Sequence, residues 1–165
     1  MNTHFPDVAQ GGMRAIGARR PKVFMAFLAL ADEVMHAEAA LSPLDRELLG
    51  AHVSRRFGCD FCHFGHLDTA AAIAGDDVGG RLDAADERLA PLFALADKIA
   101  DNAATDADIE AVLAAGHSEQ VVEDVILVCA LFGFANRMVT GFGLDYRAER
   151  DREGSRALAQ GYVRR

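Results

Sequence analysis

The chain has 165 residues, enough for one domain that buries its own core without disulfide or metal staples. It is 51% hydrophobic and 25% charged, the composition of a globular protein rather than a disordered one. Its formal net charge of -8, with no basic patch interleaved with aromatics, argues against nucleic acid or an anionic membrane surface as a partner.

The amino terminus, Met1 to Asp7, has no basic region followed by a hydrophobic segment. It therefore reads as free of a secretory signal and points to the cytoplasm, where thiols stay reduced. Ala, Leu, Glu and Arg dominate and strand-like alternation is absent, so the expected fold is all-α in a single domain spanning 1–165. A first long helix is expected from about Pro21 to Ala40. Ser42-Pro43-Leu44-Asp45 signals the next start, with Ser as N-cap, Pro at the first helical position and Asp in the first turn. That helix should run to about Phe57 and stop at Gly58. Another should run from about Cys59 to Ala74, before the turn-like Gly75-Asp76-Asp77 and Gly79-Gly80. Asp86 to about Asn102 reads as helix. Thr105 opens a short one ending at Gly116, and Ser118 caps a long apolar one to about Thr140. The longest apolar run, Val125 to Ala135, is far short of the roughly 20 residues a membrane helix needs, so no span is expected. The core should occupy about 21–144. The charged stretch from Tyr146 to Arg165 is expected to be a terminal helix or arm that packs on a partner or frays.

Three cysteines do not suggest a secreted disulfide framework, but Cys59-Asp60-Phe61-Cys62 places two of them three residues apart. In a reducing compartment that spacing reads as redox or metal chemistry. Thiols at a helix start gain from unpaired N–H groups and the positive end of the dipole. Cys62 and His66 form an i,i+4 pair, so an imidazole can take a thiol proton. Glu47 lies on the preceding helix on a face with Leu44, Gly50, Ala51 and Ser54 that is otherwise uncharged. A carboxylate there needs a partner, and His66 is the natural one. His63, i,i+4 from Cys59, is a possible accessory. The competing readings are half of a zinc site, a pair of buried thiols, or a non-enzymatic thiol sensor or oligomeric binding protein whose disulfide switches assembly. Cys129, inside Val125 to Phe132, reads as a small buried hydrophobe. Phe24, Phe27 and Leu28 read as core or subunit interface. His36, His52 and His117 have no partner identifiable from sequence.

Glu47, then eleven residues, Cys59-x-x-Cys62, three residues and His66 together resemble the redox branch of the AhpD-like family, which includes carboxymuconolactone decarboxylase. The resemblance covers about Pro21 to Ala74, with a weaker match at Asn136-Arg137. It implies an AhpD-like helical bundle, assembled as a dimer, trimer or hexamer. It also implies thiol-dependent peroxidase activity on a hydroperoxide or disulfide, with Cys62 attacking and Cys59 resolving, and no cofactor. The implied partner is a dithiol donor, either a lipoyl group or another thiol protein. In one departure, Phe61 stands where peroxidase members carry a histidine directly before the second cysteine.

Overall fold

A computed structural model describes residues 5–75, 78 and 87–163. Every regular element among them is helical. In chain order they are α1 (Pro6–Arg19), α2 (Pro21–His36), α3 (Pro43–Arg56), α4 (Asp60–Ala74), α5 (Ala90–Ala100), α6 (Asp106–Ala114), α7 (Glu119–Gly141) and α8 (Ala148–Ala157). A single 3-10 turn, Leu158–Gln160, follows. The turn expected at residues 76–80 and the start expected at Asp86 fall largely outside the described residues.

Local capping chemistry sets the boundaries. Ser42 accepts a hydrogen bond from the Asp45 N–H, and Pro43 fills the first position of α3. Thr105 and Asp108 close a capping box on α6, and Ser118 caps α7 by accepting from Val121. α2 ends earlier than expected, at His36 rather than Ala40. Arg46, only 2% exposed, explains the stop: its guanidinium donates to the carbonyls of Val34 and Ala37 and satisfies the last turn of α2 from outside.

α3 is the hub. It is buried from Asp45 to Ala51 without a break and packs against α2, α4, α5 and α7. Gly50 makes one of these contacts possible, since a Cβ there would fall 2.3 Å from the ring of Phe132 on α7. The main core gathers Met35, Leu48, Leu49, Leu92, Leu95, Val125 and Phe132 around this helix.

Both ends of the chain differ from the sequence expectation. No helix was anticipated before Pro21, yet α1 forms and bends at Gly12, which adopts φ +61°. Its Val8 and Ile16 join a second apolar cluster with Val139 and Leu144. The terminal stretch is helical, but α8 lies on α4 of its own chain rather than fraying. Thr69 on α4 donates to the Ser155 carbonyl at 2.8 Å, and Gly65 leaves room for the Ser155 side chain.

Candidate active site

The cysteine pair is aimed by a turn between two helices. Gly58 takes φ +66°, and its N–H bonds the Arg55 carbonyl while the Cys59 N–H bonds that of Ser54, each at 3.0 Å. These two crossed bonds terminate α3 and reverse the chain. Cys59 becomes the N-cap of α4, and its carbonyl accepts the His63 N–H at 2.9 Å. Cys62 sits in the first turn, as the sequence predicts. Both thiols are free and nearly enclosed, at 2% and 3% exposure. Their surroundings are apolar: Val8, Ile16, Val139 and Leu144, with Met13, Phe61, Met138 and Phe142 at the margin.

The two sulfurs are not equivalent. A hydrogen bond from the Cys62 thiol, helped by the Cys62 and Phe61 backbone N–H groups, holds the Cys59 thiol below its ordinary value despite burial. The reciprocal effect, together with burial, pushes Cys62 well above it. Negative charge on the reduced pair is thus favoured at Cys59, at the open start of α4.

Glu47 is fully buried, and both of its oxygens are engaged. His66 Nδ1 lies 2.6 Å from Oε2, and the Tyr162 hydroxyl donates to Oε1 at 2.9 Å. His36 Nε2 stands 4.0 Å from Oε1 with no hydrogen-bond partner of its own. A carboxylate at Nδ1 orients the ring and favours the tautomer with its proton there, in which Nε2 is the acceptor. Phe132 packs edge-on to the His66 ring, with centroids 4.5 Å apart, and limits its rotation.

Tyr162 and His36 are members that the sequence reading did not find. Tyr162 arrives from beyond α8, and its backbone N–H donates to Asp32 Oδ1 at 2.7 Å. The phenol is buried, and burial together with Glu47 pushes its titration far above the ordinary tyrosine range. It also lies 3.3 Å from His66 Nδ1, closing a triangle over Glu47. The i,i+11 spacing between His36 and Glu47 carries no recognisable signal, and nothing local marks Tyr162.

His63 bonds the Ala51 carbonyl through Nδ1 at 2.9 Å, tying α4 to α3. His52 stacks on Phe93 and pairs with Asp97, while His117 meets the Arg88 carbonyl. Cys129 is buried among apolar side chains, its thiol pushed up to about 12 by burial. Among the described residues, no group of three His, Cys, Asp or Glu side chains is arranged to hold a metal ion. Asn136 on α7 is 1% exposed, and neither amide atom has a hydrogen-bond partner. A cavity of about 390 Å³ opens beside the cysteine cluster and shares Ile16, Met138 and Phe142 with it. Phe24 and Phe27 line this cavity, with Arg20 and Arg137 at its border.

No protein-family model and no curated protein matches the sequence. Solved structures do. The chain is similar to an uncharacterized peroxidase-related protein from Silicibacter sp. TM1040 at 25% identity and a TM-score of 0.74, covering 83% of this chain and 76% of that one. It is also similar to the alkylhydroperoxidase AhpD core of an uncharacterized peroxidase-related protein from Ralstonia eutropha JMP134. There identity is 24% and the TM-score 0.72, over 81% of this chain and 75% of that one. The fold is therefore the all-helical AhpD-like fold expected from the sequence.

Proposed function

We propose that this protein is a thiol-dependent peroxidase, acting through Cys59 and Cys62 with Glu47 and His66 as its proton relay. The observation that carries the reading is the buried Glu47 carboxylate 2.6 Å from His66, one helical turn from the cysteine pair. The peroxidase-related neighbours support it.

A cysteine thiolate attacks the terminal oxygen of a hydroperoxide, the O–O bond breaks, and the products are a sulfenic acid and an alkoxide. His66, having taken a thiol proton, returns it to the alkoxide, which leaves as an alcohol. The second thiol then attacks the sulfenic sulfur, the S–S bond forms, and water departs. A dithiol donor restores both thiols by exchange and becomes a disulfide. The apolar enclosure favours an organic hydroperoxide over hydrogen peroxide. Charge favours Cys59 as the resting thiolate; for Cys62 to attack, as the family resemblance implies, His66 must first remove its proton.

Thiol titration and intact mass, before and after one equivalent of an organic hydroperoxide, test the proposal. Loss of two thiols with a mass lower by two hydrogens is expected, followed by steady turnover when dihydrolipoamide is supplied. Oxidation without turnover would make the pair a sensor rather than an enzyme. No thiol loss, or loss unchanged in both Cys59→Ser and Cys62→Ser, would overturn the proposal. The sulfenic acid should persist on the attacking sulfur in whichever variant retains it, which identifies the order of attack.

A further inference from the structure

We infer that Asn136 is a substrate-contacting residue whose side-chain amide holds the hydroperoxide group at the cysteine pair. The inference rests on the peroxidase reading above. Burying an amide with neither its N–H nor its C=O bonded is destabilising, and native proteins rarely tolerate it without a purpose. Asn136 shows both atoms unpartnered at 1% exposure. Polar side chains on adjoining positions of α7 are engaged elsewhere: Arg137 donates to the Gly133 carbonyl, and Thr140 to the backbone carbonyl of Asn136. Glu47 is already engaged by Tyr162 and His66.

Helical phase puts Asn136 on the face of α7 that adjoins the relay and the cysteine cluster. It lies one turn after Phe132, whose ring packs on His66, and one turn before Val139, which belongs to the same apolar cluster as Cys59 and Cys62. The buried stripe of α7 thus runs past the relay and the thiols in turn, and Asn136 is its polar member.

The unmet capacity of the amide also selects the ligand. An anion would need donors only and a cation acceptors only, whereas Asn136 has both donor and acceptor capacity unfilled. A hydroperoxide, R–O–OH, presents a hydroxyl donor and an inner oxygen acceptor on adjacent atoms. The Asn136 carbonyl accepts from the terminal O–H, and its amide N–H donates to the inner oxygen. As the S–O bond forms and the O–O bond breaks, that inner oxygen gains the negative charge of the alkoxide. The amide N–H therefore bonds most strongly in the transition state.

Asn136→Leu, close in shape, tests this on the full reduced chain. Oxidation by tert-butyl hydroperoxide should slow by about 10² or more, as when a donor to a developing oxyanion is removed. Alkylation of the same thiols by iodoacetamide, which needs a thiolate but develops no oxyanion, should remain within about threefold. The melting temperature should hold or rise, because an unpartnered amide has been replaced by a hydrocarbon. Should the leucine variant misfold, Asn136→Ser and Asn136→Ala take its place, and serine should react faster through its hydroxyl. Equal peroxide rates in wild type and variant, or in the serine and alanine variants, would remove Asn136 from the mechanism and leave the peroxidase reading standing. Parallel loss of peroxide and iodoacetamide reactivity would also overturn the inference. A wild-type protein inert to the hydroperoxide would remove both readings.

Discussion

Helix α4 divides two regions built on opposite principles. Around Glu47, His66 and Tyr162 hydrogen-bond one carboxylate oxygen each, and His36 stands 4.0 Å from Oε1. Around Cys59 and Cys62 an apolar cluster of Val8, Ile16, Val139 and Leu144 gathers, and the hydrogen bond between the two thiols is the largest influence on their charge. The first region fixes where a proton resides; the second leaves a nucleophile poorly solvated and responsive to a single hydrogen bond. Under the proposed peroxidase function, such a site would keep its base rigid and its thiols sensitive.

The largest expected effect sharpens the contrast between thiols. Cys59 is held below its ordinary value of 9.0, whereas Cys129 is pushed up to about 12. Near neutral pH their thiolate populations then differ by more than about 10³-fold. Iodoacetamide should label Cys59 long before Cys129, as peptide mass mapping of partly alkylated protein would show. Equal labelling would mean that neither the Cys62 hydrogen bond nor the helix start holds the Cys59 thiol down.

Glu47→Gln comes next. With the carboxylate gone, His66 loses the group that fixes its proton, and peroxide oxidation should fall by about 10²-fold. The rate against pH should also change shape, which a purely structural loss would not produce. Gly50→Ala probes the same region mechanically. The new methyl would meet Phe132 at 2.3 Å, so the ring must leave its place against His66. A loss of about 1–3 kcal/mol in urea unfolding is expected, typical of overpacking a core.

Tyr162→Phe should have the smallest effect, about 1.5 kcal/mol, for one hydrogen bond to a charged acceptor. Its counterpart is alkaline pH. The folded-state titration of Tyr162 lies well above the ordinary value of 10.0, so its contribution to stability is complete below that pH. It is lost as pH rises through the folded value. Tyrosinate absorbance should therefore develop together with unfolding in wild type, and Tyr162→Phe should weaken that coupling.

What the sequence makes legible is what neighbouring residues decide. Ser42, Gly58 and Ser118 mark helix ends because their chemistry acts within a few residues. Glu47 and His66 can be paired by helical phase together with the spacing of the resemblance, since one tight turn joins their helices. Tyr162 cannot, because it lies 96 positions beyond His66 and returns only when Thr69 and Asp32 anchor the segments around it. α1 is obscured by its own glycines, and Gly12 does break its helical path. The apolar wall around the cysteines depends on that helix, so its composition was hidden too.

The tail has one more implication. Gly161 takes φ +112°, and a Cβ there would lie 3.0 Å from Asp32 Oδ1, the atom that receives the Tyr162 N–H. A premature stop codon just before this glycine would still encode all eight helices described above but would omit the phenol over Glu47. Such an allele would be expected to lower the steady-state amount of protein on an immunoblot, because a buried ring and its bonds to Glu47 and Asp32 are lost together. A missense change at Gly161 alone would produce a milder version of the same phenotype.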